Sequence, residues 1–212
     1  MSSEPVVHVI DDDEALRDSL AFLLTAARLK VRTYKSAVEF LESIATVEPG
    51  CVITDVRMPD VSGVDLLRRL KASDRALPVI VVTGHGDVPL AVEAMKLGAI
   101  EFLEKPFDDD ALLDAVKSAL NRAEREARCD AEQAEISERL ETLSARERQV
   151  LRGLVAGQPN KVIAFDLGIS PRTVEIYRAN VMTKMKAASL SDLVRMALVS
   201  GGVPAEPQDK PG

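Results

Sequence analysis

Four short apolar runs punctuate the first half of the chain: Val6 to Ile10, Cys51 to Thr54, Val79 to Val82 and Ile100 to Glu104. They are mostly β-branched and are separated by stretches with helical periodicity, a pattern that predicts buried parallel strands in a βαβ series. The helices fall at about 13–28, 36–46, 64–72 and 87–98. A further helix begins near Asp109, where three consecutive aspartates favour its amino-terminal dipole and Leu112, Leu113, Val116 and Leu120 form its apolar stripe. After Leu120 the stripe stops. Asn121 to Glu135 has high helix propensity and charged pairs but no large apolar residue, which predicts a solvated helical spacer rather than a coiled coil.

A second periodic unit begins at Ser144. Ser144 and Glu147 form a capping box, Val150, Leu151, Leu154 and Val155 face one side, and Gly157 ends the helix. Asn160 to Leu167 predicts a short second helix, and Gly168-Ile169 a turn. Ser170 caps a third helix with Pro171 in its first turn, running to about Met185 with Val174, Tyr177, Val181 and Met185 inward. Two short helices joined by a Gly-bearing turn read as a helix-turn-helix. A fourth helix covers about 190–199, and the Gly- and Pro-rich tail 201–212 is expected to be disordered.

The chemistry sits at the strand ends. Asp11 and Asp12, Asp55, Thr83 and Lys105 each follow an apolar run, and in an open α/β sheet the crevice lies at the carboxyl ends of the strands. Three carboxylates in one crevice repel unless a cation neutralises them, and an all-oxygen ligand set favours Mg²⁺. A carboxylate beside such a metal can attack a phosphoryl group, while Lys105 and Thr83 bind its remaining oxygens. A structural metal or a fortuitous acidic patch would leave Thr83 and Lys105 unexplained.

Asp11-Asp12, Asp55-Val56-Arg57-Met58-Pro59, Thr83 and Lys105-Pro106 resemble the receiver domain of two-component response regulators. The resemblance implies a flavodoxin-like receiver, a five-stranded parallel sheet of order 2-1-3-4-5. It implies Asp55 as the phosphorylated residue, Asp12 as a direct Mg²⁺ ligand, Asp11 as an outer one and Arg57 as the donor of a backbone carbonyl. It also implies a cis Lys105–Pro106 bond. Thr83 and Phe102 are then the expected switch pair, with Val92 and Lys96 on the helix at about 87–98 as contacts between two phosphorylated receivers. The stretch Thr83 to Lys96 narrows the likeness to the regulators of rhizobial nitrogen fixation.

Leu143 to Leu151, Asn160 to Ala164 and Ser170 to Val174 resemble the LuxR-type four-helix DNA-binding domain. By position, Glu175, Ile176 and Ala179 would meet base edges. Arg172, Thr173 and Arg178 share the exposed face of the third helix, Lys184 and Lys186 stand at its end, and Asn160 and Lys161 open the second. Many members of that family carry Lys where Glu175 stands; an acid accepts from cytosine N4, so the recognised sequence cannot be copied from relatives.

Charge distribution agrees with two units. The chain has 212 residues and net charge −7, yet residues 1–120 hold 13 basic and 21 acidic side chains while 144–212 hold 10 and 6. An acidic front and a basic back suggest different partners. Two cysteines, Cys51 and Cys129, form no disulfide framework or metal spacing; Cys51 reads as core. His8 and His85 read as structural. An aspartyl-phosphate phosphatase would need a second acid where Arg57 stands, and no Walker-type loop is present. No apolar segment reaches membrane-spanning length, so a cytoplasmic location without a membrane partner is expected.

The expected arrangement is a receiver at 1–122, a helical linker at 123–142, the helix-turn-helix domain at 143–200 and the tail. The expected function is a phosphorylation-activated transcriptional activator, not a turnover enzyme. Its expected partners are a sensor histidine kinase with an oxygen-sensing haem, promoter DNA, RNA polymerase and a second copy of the chain. Its targets would be nitrogen-fixation and microaerobic genes.

Overall fold

The computed structural model describes residues 4–73, 77–84 and 88–201. His85, in its glycine-flanked loop, and the tail from 202 lie outside the described residues. The chain divides into two compact units, Met1–Ala127 and Arg128–Gly212.

In the first unit the order is β1 (Val6–Ile10), α1 (Glu14–Ala26), β2 (Lys30–Tyr34), α2 (Ala37–Ser43), β3 (Gly50–Asp55), α3 (Gly63–Lys71), β4 (Val79–Thr83), α4 (Val88–Leu97), β5 (Glu101–Glu104) and α5 (Asp109–Glu141), whose last turns belong to the second unit. All five strands are parallel, in the order β2-β1-β3-β4-β5, so the doubly wound fold expected from the resemblance is present. Period-two alternation sends side chains to two cores. Val7, Val9, Cys51, Ile53, Ile80 and Val82 pack under α1 and α5, against Leu20, Leu24, Leu112 and Val116. Ile10, Val52 and Val81 face Phe40 of α2, Leu66, Leu67 and Leu70 of α3, and Ala94 of α4. Burying a side chain such as Phe40 or Leu66 completely stabilises by about 1.5–3 kcal/mol.

The strand that the apolar pattern did not reveal is β2, Lys-Val-Arg-Thr-Tyr. It is an edge strand, and only Tyr34 is buried. Its partner His8, fully buried in β1, is held by the Tyr34 hydroxyl at 3.3 Å and by the Glu48 carbonyl at 3.0 Å, and it packs on Phe40. That is the structural role expected of it. Burial lowers the His8 pKa, with Arg32 assisting and the Glu48 carbonyl opposing. Cys51 is core, its thiol pushed up by burial to about 12.

The second unit holds α6 (Ala145–Val155), α7 (Asn160–Leu167), α8 (Pro171–Met185) and α9 (Leu190–Val199). The Ser144–Glu147 capping box is formed on both sides, and Ser170 and Ser189 cap α8 and α9. Gly168 and Lys186 end α7 and α8 in the left-handed conformation, at φ of 64° and 53°. The core of the unit is Val150, Leu151, Leu154, Ile163, Val174, Val181, Met185 and Leu193. Ile136 and Leu140 of α5 join it, 2% and 5% exposed. The carboxyl end of the helix expected to be a solvated spacer is therefore packed, because its last turns regain two large apolar residues.

Candidate functional site

The carboxyl edge of the sheet carries the acidic crevice. Asp11 follows β1, Asp55 ends β3, Thr83 ends β4 and Lys105 follows β5. Lys105 Nζ donates to Asp55 Oδ2 at 2.7 Å and to Asp11 Oδ2 at 3.1 Å. Asp11 is nearly buried and is further held by the Asp13 N–H at 2.9 Å, while the Arg17 guanidinium donates to its carbonyl at 2.7 Å. The Arg57 N–H reaches Asp55 Oδ1 at 3.3 Å. Thr83 is 1% exposed, and its carbonyl accepts the Lys105 N–H at 2.7 Å. The Lys105–Pro106 bond is cis, as expected.

Burial raises the Asp11 carboxyl above the ordinary aspartate value, and the bonds from the Asp13 N–H and Lys105 only partly oppose it. Burial also works against the charge of Lys105, but there the bonds to Asp55 and Asp11 win and raise its pKa. One ammonium thus serves two carboxylates. Among the described residues, carboxylate oxygens of Asp11, Asp12 and Asp55 lie within 4.8 Å of one another, with Asp12 exposed at the rim. Hard oxygen donors clustered this closely would suit a Mg²⁺ ion.

Gly63 permits the approach of α3 to this crevice. A Cβ there would lie 2.2 Å from the Asp55 carbonyl oxygen, and the Gly63 N–H instead bonds the Val56 carbonyl at 3.0 Å. Sequence reasoning passed over this residue, although a glycine opening a helix shortly after the strand that ends in Asp55 is the available signal. Of the switch and contact candidates, Phe102 on β5 is partly buried against the α2–α3–α4 core, in register with Val81. Val92 and Lys96 are exposed on α4, and Arg68 of α3 forms ion pairs with both Asp65 and Glu93.

In the second unit, α8 exposes Arg172, Glu175, Ile176 and Ala179, with Ile176 57% exposed, and Lys186 is exposed just past its end. Arg178 is half-buried, and the Thr173 hydroxyl lies 2.8 Å from that of Ser170, within the cap. Asn160 and Lys161 share a groove with Glu175 and Arg178, so α7 and α8 present them together. Lys184 stands apart. Its ammonium is 2.6 Å from the buried Glu147 carboxylate and also donates to the Thr142 carbonyl at 3.2 Å. Sequence reasoning assigned Lys184 to DNA alone, since nothing local signals a partner 37 residues away. Burial pushes the Glu147 carboxyl upward, but the bonds from Lys184 and Ser144 overcome it and leave it below the ordinary glutamate value.

Residues 7–117 match the family described as response regulator receiver domain, and residues 141–197 match the bacterial regulatory proteins of the luxR family. The chain belongs to the two-component response regulators. It is 60% identical over 200 residues to the transcriptional regulatory protein FixJ of Azorhizobium caulinodans, covering 94% of this chain and 95% of that protein. Among solved structures, full-length FixJ from B. japonicum is 54% identical, with a TM-score of 0.59 over 93% of this chain and 97% of that one. The response regulator StyR is 40% identical, with a TM-score of 0.81 over 92% and 98%. As a response regulator the chain has a sensor kinase as partner, binds DNA and is not a turnover enzyme. Among the described residues no helix is long and apolar enough to cross a membrane.

Proposed function

We propose that Asp55 is the phosphoryl acceptor of a transcriptional activator that pairs and binds promoter DNA once phosphorylated. The observation that carries this reading is the double contact of Lys105 with Asp55 and Asp11 beside Asp12. A carboxylate oxygen of Asp55 attacks the phosphorus of a phosphohistidine; the O–P bond forms as the P–N bond breaks, and the electron pair leaves with the imidazole. Lys105 and Thr83 then hold phosphoryl oxygens, by charge and by a hydrogen bond. Asp11, Asp12, Asp55 and the Arg57 carbonyl would hold Mg²⁺, which when bound neutralises charge on the transferred group.

Movement of Thr83 toward the phosphoryl group frees space that Phe102 can enter, reshaping the α4–β5 face where Val92 and Lys96 meet a second receiver. Arg172, Thr173, Arg178, Lys186, Asn160 and Lys161 would contact the DNA backbone, with Lys184 adding a weaker contact. Glu175, Ile176 and Ala179 would meet base edges. The likeness to FixJ supports an oxygen-sensing haem kinase as donor, RNA polymerase as the recruited partner, nitrogen-fixation and microaerobic genes as targets, and a cytoplasmic location. The experiment is mass spectrometry after acetyl phosphate and Mg²⁺: wild type gains one phosphate and Asp55→Asn gains none. Undiminished labelling of Asp55→Asn refutes the assignment.

A further inference from the structure

Residues 128–141 of α5 lie almost wholly before the stretch that matches the luxR family, which begins at 141, yet they are built into the second unit. Glu132, Ile136, Arg139 and Leu140 fall at i, i+4, i+7 and i+8, one face of a helix. Ile136 and Leu140 enter the same core as Val181 and Met185 of α8. Glu132 pairs with Arg195 of α9 at 2.7 Å. Between these contacts, Arg139 sends one arm to Glu135 and the other to the Met185 carbonyl at 3.2 Å.

Met185 is the last residue of α8, where four carbonyls lack an intrahelical donor. The turn at Lys186 and Ala187 satisfies those of Met182 and Thr183. The carbonyl of Met185 accepts from Arg139, and a cation is favourable at this negative end of the helix dipole. The Arg139 side chain is only 19% exposed, so the contact is shielded from solvent. With Ser170 capping the other end, α8 is pinned at both termini. The rotation of α8 decides which bases Glu175, Ile176 and Ala179 face, whereas flexible Lys and Arg side chains reach phosphates over a range of rotations.

We infer that the carboxyl end of α5 is a fifth helix of the DNA-binding unit and that Arg139 is a positioning residue for the recognition helix. The inference rests on the reading of α8 as the base-reading element. Its test uses the full-length chain, phosphorylated with acetyl phosphate, as wild type, Arg139→Met and Arg139→Lys. Hydrogen exchange at the Lys186 and Ala187 amides is measured without DNA. Binding is measured over a salt series to a duplex enriched by wild type from a randomised pool, and to an unrelated duplex of equal length.

In Arg139→Met these amides should exchange about fivefold faster, the factor that a cation at a helix carboxyl end is worth. The preference for the enriched duplex should fall by a similar factor while the salt slope stays that of wild type, and Arg139→Lys should recover part of both. Unchanged exchange overturns the inference. So does a salt slope lowered by about 0.9, which would make Arg139 a phosphate contact. If wild type prefers neither duplex, the base-reading assignment fails, and the exchange result decides Arg139 by itself.

Discussion

Replacing Lys184 by Met should destabilise the DNA-binding unit far more than the loss of an ordinary surface lysine. Glu147 is 4% exposed, and among the described residues the variant leaves its carboxylate the donors of Ser144. Removing one partner of a fully buried pair costs roughly 3–5 kcal/mol. The Lys184 side chain is 39% exposed, and solvent screening reduces the expected loss to about 2 kcal/mol. For a domain of this size that corresponds to a fall in melting temperature of ~8–16 °C. Scanning calorimetry of the full-length chain at neutral pH reads it.

The loss must also depend on pH with a definite sign. In wild type the folded Glu147 carboxyl lies below its ordinary value, so its contribution is fully present above the unfolded value of about 4.3 and disappears as pH falls through the folded value. In Lys184→Met, burial is no longer overcome, the carboxyl rises and acid relieves the penalty. The gap in melting temperature between the two proteins should therefore narrow as pH falls, beginning above about pH 4.3 as the variant carboxyl takes up its proton and continuing below it as wild type loses its own contribution. A gap that is absent at neutral pH, or constant down to pH 3, refutes the reasoning.

Gly63→Ala should cripple phosphorylation, because its Cβ would sit 2.2 Å from the Asp55 carbonyl oxygen; the rate of labelling by acetyl phosphate checks it, and a wild-type rate contradicts the role of Gly63. Phosphorylated Thr83→Ala should remain more monomeric than phosphorylated wild type in sedimentation, whereas full dimerisation removes Thr83 from the switch. Arg172→Ala, at an exposed cation on α8, should lower the slope of log K against log salt by about 0.9 per subunit, and an unchanged slope takes Arg172 off the phosphate backbone.

Much of this molecule was legible in the sequence because its strongest signals are local. Runs of β-branched residues marked the three inner strands β1, β3 and β4, and caps such as Ser144 and Ser170 marked where helices start. What could not be read has a common cause: it depends on residues far apart in the chain. Strand β2 escaped because an edge strand needs no apolar run. Lys184 was assigned by its exposed neighbourhood, while its partner Glu147 looked like no more than half of a capping box. Ile136 and Leu140 lacked meaning until the fold placed them in one core with Val181 and Met185. For the acidic crevice the order of residues gave the members, but the sharing of one ammonium between Asp55 and Asp11 is a property of geometry alone.

Strand β2 also limits how copies of this chain can associate. A sheet border offers a row of peptide groups that any extended segment can pair with, and parallel sheets fold slowly enough for such borders to meet. Here one border displays Lys30, Arg32 and Thr33, and the other, β5, displays Glu101 and Glu104. Two like borders repel by charge, and the opposite borders present only short strands. Pairing of two β2 borders or of two β5 borders across molecules is thereby disfavoured.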